Sequence, residues 1–246
     1  MSSEAVIWHD LECGAYSADL PLWRELAAAH AGRSILDVGA GTGRVALDLA
    51  RHGHRVIALE RDETLARELE RRARSLADPS GPAVAGSVEV LCADACDFEL
   101  AATVSLCIVP MQTIQLLDDR PAFLRCARAA LEPAGLLALA LLGGDVQPFS
   151  IELDADSVER DGVRYTSTPT ALRQTRHAVV LERRRCARGE AAESESVDIA
   201  TLARIDAAAL LAEAMPAGLA HCGVRHVAAT AEHVGTDVLL LGAVTR

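Results

Sequence analysis

Six residues in the first hundred have the types and spacing of a nucleotide cradle. Gly39, Gly41 and Gly43 stand at every second position after the apolar run Ile35 to Val38, in which Asp37 is the one acid. Glycine admits positive φ and lets backbone approach a ligand closely. A helix beginning there aims unpaired N–H groups and a partial positive charge at whatever lies in the turn. Glu60 closes a second apolar run, Arg55 to Glu60, seventeen residues past Gly43. A carboxylate at that strand tip lies beside the turn in a doubly wound sheet and can accept both hydroxyl hydrogens of a ribose. Asp94 closes a third run, Val88 to Asp94. The chemistry open to this set is the holding of a nucleoside.

The elements that must position these residues alternate between strand and helix. Val45 to Arg51 and Glu63 to Leu76 carry helical patterns, and Asp78 to Ser87 is a Pro/Gly/Ser loop. Thr103 to Pro110 is a fourth strand. Asp118 to Pro121 opens a helix to about Leu131, and Glu132-Pro133-Ala134-Gly135 turns into a fifth strand, Leu136 to Leu142. Asp206 caps a helix that ends at Pro216-Ala217-Gly218, and Val224 to Thr230 with Asp237 to Val244 form a terminal hairpin. The pattern predicts an α/β protein with a doubly wound, seven-stranded, mostly parallel sheet. Between the fifth strand and the last helix, Arg164 to Thr168, Leu172 to Ala187 and Ser194 to Ala203 read as strands of an antiparallel insertion with a turn at Arg188-Gly189-Glu190.

Position 44 separates two kinds of cradle. The dinucleotide fingerprint G-x-G-x-x-G/A counted from Gly39 requires a small residue where this chain has Arg44. The spacing G-x-G-x-G with Asp37 two residues ahead resembles motif I of the class I S-adenosylmethionine-dependent methyltransferases. The resemblance implies a Rossmann-like methyltransferase fold over nearly the whole chain and S-adenosylmethionine as cofactor, leaving S-adenosylhomocysteine as product. It places Gly39, Ala40, Gly41 and Gly43 under the methionine and ribose. Asp37 then orders the turn or meets the amino group, Glu60 with Arg61 takes the ribose, and Asp94 and Ala95 read the adenine. Asp97 is the acid available to close the turn after Asp94. Tyr16 is the candidate for the methionine carboxylate, in an N-terminal segment that lies over the cofactor as a lid, and Val109 lines the site at the end of the fourth strand.

That strand departs from the family pattern. Many relatives open it with an acid and close it with Asp or Asn, whereas this chain has Thr103 at one end and Val109-Pro110-Met111 at the other. Gln112 and Gln115 follow, able to hydrogen-bond an acceptor but not to remove a proton at neutral pH. Candidate bases come only from the lid and the insertion: His9, Asp10, Tyr16 and His177. No catalytic residue is assigned, and the missing acid tilts the expected chemistry towards N-methylation of a small-molecule amine. The rivals are an NAD-dependent Rossmann-fold oxidoreductase and a non-catalytic cofactor-binding protein of the same fold.

The expected division is an N-terminal lid and helix over 1–32, a cofactor-binding domain over 33–144 and 205–246, and the antiparallel β insertion over 145–204, covering the acceptor pocket. The chain has 246 residues and a formal charge of −11, a field that repels phosphate backbones and argues against nucleic acid as partner. No apolar run approaches the roughly 20 residues of a membrane span, and the start MSSEAVIWHDLE lacks the basic and apolar parts of a signal peptide. A cytoplasmic protein without membrane partners is expected, as a monomer or homodimer. The seven cysteines are scattered without a C-x-x-C pair, and neither His52 with His54 nor His221 with His226 has further ligands at a zinc spacing, so no metal is expected. The run Arg183-Arg184-Arg185 reads as a solvated face.

Overall fold

Central strands that are apolar on both faces, and helices apolar on one side only, dictate a sheet with helices on both faces. The computed structural model describes residues 3–76, 85–142, 155–190, 192–230 and 234–244. In chain order the elements are α1 (Glu4–His9), α2 (Leu20–Ala28), β1 (Ser34–Val38), α3 (Arg44–Arg51), β2 (Arg55–Glu60), α4 (Glu63–Leu76), β3 (Ser87–Cys92), β4 (Val104–Val109), α5 (Thr113–Leu116), α6 (Arg120–Ala130) and β5 (Leu131–Leu142). They continue with β6 (Asp156–Arg160), β7 (Val163–Gln174), β8 (Ala178–Arg188), β9 (Glu193–Ala203), α7 (Ala207–Ala214), β10 (Leu219–Val227) and β11 (Thr236–Ala243). They fall into two units, one of Ser17–Gly143 with Ile205–Arg246 and one of Met1–Tyr16 with Gly144–Arg204.

The larger unit is a seven-stranded sheet in the order β10-β11-β5-β4-β1-β2-β3, parallel from β5 to β3, with β11 antiparallel to both neighbours. The chain enters at β1 in the middle, winds outward through β2 to β3, and returns to the other side of β1 as β4. The crevice where the winding reverses is where open parallel sheets bind ligands, and the turn after β1 lies in it. Period-two alternation sorts the strand residues between two cores. Ile35, Leu106 and Ile108 pack with α2, α3 and α4 through Trp23, Val45, Leu49 and Leu69. Leu36, Val38, Cys107 and Val109 pack with α5, α6 and α7 through Ile114, Phe123, Leu124 and Leu210. The Glu132–Gly135 turn is present as a loop-out inside β5, since Leu131 pairs with Val104 and Leu136 already pairs with Leu106.

The smaller unit is an antiparallel meander β6-β7-β8-β9, with α1 and the wider π-type turn Asp10–Gly14 packed on it. Ile7, Tyr165 and Ala187 form its small core, and Trp8 meets Tyr165 edge-on at 5.2 Å and 79°. Arg185 joins the layers: its guanidinium lies 5.6 Å over the Trp8 ring and donates to both Glu12 oxygens at 2.7 and 2.6 Å. The sequence reading placed three strands here and ran one of them through from Leu172 to Ala187. The structure has four strands, and that run holds the end of β7 and most of β8. Thr175 makes the break, its hydroxyl accepting from the Ala178 N–H at 2.9 Å while the Thr175 N–H donates to the Ala178 carbonyl at 2.8 Å. Within 1–32, expected as a lid and helix, the first sixteen residues group with the meander and α2 with the large sheet. The expected start of the insertion at 145–154 and most of the Asp78–Ser87 loop lie outside the described residues.

Candidate functional site

The turn after β1 is glycine-dependent at each expected position, with φ of 71° at Gly39, 56° at Gly41 and 98° at Gly43. A Cβ on Gly39 would lie 2.5 Å from Thr113 Cγ2, and one on Gly43 would lie 2.2 Å from Leu69 Cδ1, so space and backbone both demand glycine. The Gly39 and Ala40 N–H groups donate to the Leu59 carbonyl at 2.9 and 3.0 Å, which ties the turn to β2. Glu60, the last residue of β2 and buried, accepts from the Gly41 N–H at 2.8 Å and from the Asp62 N–H at 2.9 Å. It thereby orders both the glycine turn and the entry to α4. A carboxylate has about four lone-pair sites, so these two bonds leave capacity for ribose hydroxyls.

The ends of β1, β2 and β3 stand side by side, Val38 paired with Leu59 and Glu60 with Cys92. Two steps of about 4.8 Å therefore separate the glycine turn from the Asp94 loop. Asp94 is exposed, and its Oδ1 accepts from the Cys96 N–H at 2.7 Å. It thus closes the turn for which Asp97 was the candidate, while Asp97 donates its backbone N–H to the Asp94 carbonyl at 3.0 Å. Ala95 is buried behind it, Arg61 is exposed beyond Glu60, and Val109 is fully buried at the end of β4.

Asp37 is the unusual group. It sits on the α2–α3 side of β1 with 1 % of its surface exposed, and neither carboxylate oxygen has a hydrogen-bond partner of good geometry. Burial pushes its pKa up to about 7, while the Arg44 charge and the Ala46 backbone N–H favour the anion. Arg44, the residue that breaks the dinucleotide pattern, donates to both Asp19 oxygens at 2.6 and 2.8 Å. The Trp23 indole N–H donates to Asp19 as well, at 2.8 Å. Asp19 precedes α2 where a cap belongs, yet it makes no side-chain cap bond. Sequence reasoning missed its role, because an acid ahead of a helix is read as a cap.

At the end of β4, Met111 and Gln112 both have left-handed backbone, φ 49° and 58°. Such non-glycine conformations cost on the order of 1–3 kcal/mol and cluster at functional sites. Thr113 closes the turn, its hydroxyl donating to the Pro110 carbonyl at 2.8 Å, and its methyl occupies the space that glycine leaves at position 39. The two glutamines offered as acceptor ligands are both engaged. Gln112 Nε2 donates to Thr236 Oγ1 at 3.2 Å, and the buried Gln115 accepts from the Leu142 N–H at 2.6 Å.

His9, Asp10, Tyr16 and His177 belong to the smaller unit. His9 ends α1, Asp10 begins the π-type turn, Tyr16 is buried, and His177 is exposed at the β7–β8 hairpin. Arg185, from the run expected to be solvated, is instead half-buried in ion pairs with Glu12 and Asp198. Among the described residues no three His, Cys, Asp or Glu side chains gather as a metal site, and no helix is long and apolar enough to cross a membrane.

The strand order and ligand edge are those of the Rossmann-like methyltransferase fold. Residues 35–135 match a family model described as a methyltransferase domain. Two curated proteins are similar at 30 % identity. The ubiquinone biosynthesis O-methyltransferase of Methylocella silvestris aligns over 125 residues, 50 % of this chain and 44 % of that protein. The malonyl-[acyl-carrier protein] O-methyltransferase of Xylella fastidiosa aligns over 164 residues, 61 % and 47 %. The chain thus spans about half the length of the curated relatives it matches. Among solved structures, the sugar N-methyltransferase KedS8 from Streptoalloteichus sp ATCC 53650 superposes with a TM-score of 0.72 at 18 % identity, covering 100 % of this chain and 94 % of that one. The cofactor of the class is S-adenosylmethionine, and the site fits it: a buried carboxylate short of hydrogen bonds stands at the glycine turn, where an ammonium group would satisfy it.

Proposed function

We propose that the chain is an S-adenosylmethionine-dependent methyltransferase that acts on a small molecule and transfers the methyl group to an amine nitrogen. The observation that carries the reading is the alignment of three neighbouring strand ends, bearing the glycine turn with Asp37, Glu60, and Asp94 with Ala95, along one sheet edge. In this reading Asp94 and the Ala95 N–H hold the adenine, Glu60 the ribose hydroxyls, and Asp37 the amino end. Gly39 to Gly43 pass beneath the chain between ribose and amino acid. When bound, the cofactor supplies a methyl group already activated on a sulfonium sulfur. The protein's task is then to align an acceptor lone pair with it, and orientation alone can supply much of the rate.

The choice of nitrogen rests on the end of β4. Val109, Pro110, Met111 and Gln112 include no group that takes a proton at neutral pH, and Gln112 and Gln115 are held by Thr236 and Leu142. A hydroxyl acceptor needs a base, worth about 10²–10⁴ in rate, whereas an amine that arrives neutral brings its own lone pair. The similar proteins include both a sugar N-methyltransferase and O-methyltransferases, so the acceptor atom is tested directly. Methyl-labelled cofactor is offered to the purified chain with matched panels of amines, phenols and carboxylic acids. Transfer to amines about a hundredfold faster than to phenols is expected. Preferential methylation of oxygen overturns the nitrogen assignment, and no transfer to any member overturns the activity.

A further inference from the structure

We infer that Asp19, Trp23 and Arg44 form a positioning clamp that holds a positive charge next to Asp37, so that the glycine turn takes up an ammonium-bearing ligand with Asp37 as the anion. The inference rests on the methyltransferase reading and adds to it a function for three residues outside the cofactor motifs.

The clamp is built from one carboxylate and three donors. Both terminal nitrogens of Arg44 and the indole N–H of Trp23 converge on Asp19 at 2.6 to 2.8 Å. Trp23 is fully buried, Asp19 is 2 % exposed and the Arg44 side chain 10 %. A buried ion pair is a poor stability device, since apolar residues of similar volume often serve as well or better. What this pair does is fix a guanidinium at the first residue of α3, where its charge bears on Asp37.

The groups that act on Asp37 come from every element around it. Arg44 and the Ala46 N–H on α3 favour its charge, while Asp19 ahead of α2 and Glu60 on β2 oppose it. Cys107 on β4 is a buried thiol whose ionisation is disfavoured by burial and then by the Asp37 charge. Arg44 is the strongest influence on the side of the anion, and burial is the strongest against it. Burial outweighs Arg44 and carries Asp37 up to about 7, so it titrates near neutrality in the ligand-free protein. An ammonium group arriving at the turn tips the balance, and the carboxyl gives up its proton to solvent. Without Arg44 the proton is held more tightly, and a cationic ligand must displace it at greater cost.

The test is calorimetric binding of S-adenosylhomocysteine to the full chain between pH 5.5 and 8. It is run beside 5′-methylthioadenosine, which keeps the nucleoside but lacks the amino-acid part. For the native chain, S-adenosylhomocysteine should bind about tenfold more tightly per pH unit up to about 7 and then level off, with proton release on binding, whereas methylthioadenosine should show a flat profile. Arg44→Met should move the levelling point up by about one unit and weaken binding about tenfold at pH 7, and Arg44→Lys should recover most of the loss. Asp37→Asn should flatten the profile. Equal profiles for native and Arg44→Met, or the same pH dependence for methylthioadenosine, overturn the inference while leaving the cofactor assignment standing. Failure of the native chain to bind either ligand at any pH overturns both.

Discussion

Asp37 is a residue whose burial costs the ligand-free protein stability, and the sign follows from its titration. Its folded pKa of about 7 lies above the ordinary 3.8 of an aspartate, so the folded state holds the proton more tightly than the unfolded chain. The stability this gives is fully present below about pH 4 and is lost as pH rises through the folded value. Above that point a bare carboxylate is buried without good hydrogen bonds, and linkage sets a ceiling of about 4 kcal/mol on the loss. Asparagine has the same shape and no charge. Asp37→Asn should therefore raise the unfolding free energy of the ligand-free chain, read by urea denaturation, by an amount that grows from pH 5 to pH 8 and reaches about 2 kcal/mol at the upper end. A midpoint that falls at pH 8 would show that the carboxylate is stabilised in the folded state. The same variant should bind S-adenosylhomocysteine more weakly than the native chain above pH 7, as expected where stability is given up for a binding group.

At the scale of elements, the small unit depends on one arginine. Burial works against the charge on Glu12, yet hydrogen bonds from Arg185 and Ser167 outweigh it and hold its pKa below the usual carboxylate range. Arg185→Met leaves that carboxylate with Ser167 alone among these two donors and takes the cation from the Trp8 face. Breaking a mostly buried pair costs about 3 kcal/mol, so amide exchange in residues 4–14 should accelerate about a hundredfold while β1, β2 and β4 exchange as before. Unchanged exchange in 4–14 would mean that Ile7, Trp8 and Tyr165 suffice to hold α1. The elements legible from sequence were those specified locally. β1, β2 and β4 announce themselves because both their faces are apolar, and the glycine turn because its spacing has no other backbone solution. β6 was missed because Asp156–Arg160 offers one apolar residue, Val158. The β7–β8 hairpin was missed because its turn, Thr175-Arg176-His177, uses a hydroxyl in place of glycine or proline. In the site, Gly39 to Gly43, Glu60 and Asp94 were legible by spacing. The Asp19–Arg44 pair was not, since its partners are 25 positions apart and each has a local explanation, one as a cap and one as a helix start. The left-handed backbone at Met111 and Gln112 carries no composition signal at all.

At the scale of the whole molecule, every residue assigned to the nucleoside and the amino end, from Asp37 to Ala95, lies in the seven-stranded unit, and the chain's two tryptophans report on different units. Trp23 is fully buried in the sheet unit and Trp8 packs on the meander. Multi-unit chains need not unfold in one step, so ligand effects are best read from one tryptophan at a time. In a Trp8→Phe chain the remaining emission follows the sheet unit. S-adenosylhomocysteine at a hundred times its dissociation constant stabilises a protein by about 2.7 kcal/mol if it binds only the folded form. For a unit of this size that is a rise of about 5–10 °C in the Trp23 transition. NAD should leave the transition where it was. The pyrophosphate pattern wants a small residue at position 44, and there the Arg44 guanidinium is anchored to Asp19 by two bonds and to α3 by its backbone. A shift with NAD and none with S-adenosylhomocysteine would turn the same cradle into a dinucleotide site. It would also force the Asp94 loop, which a dinucleotide reading leaves without a ligand, to be explained by its turn alone.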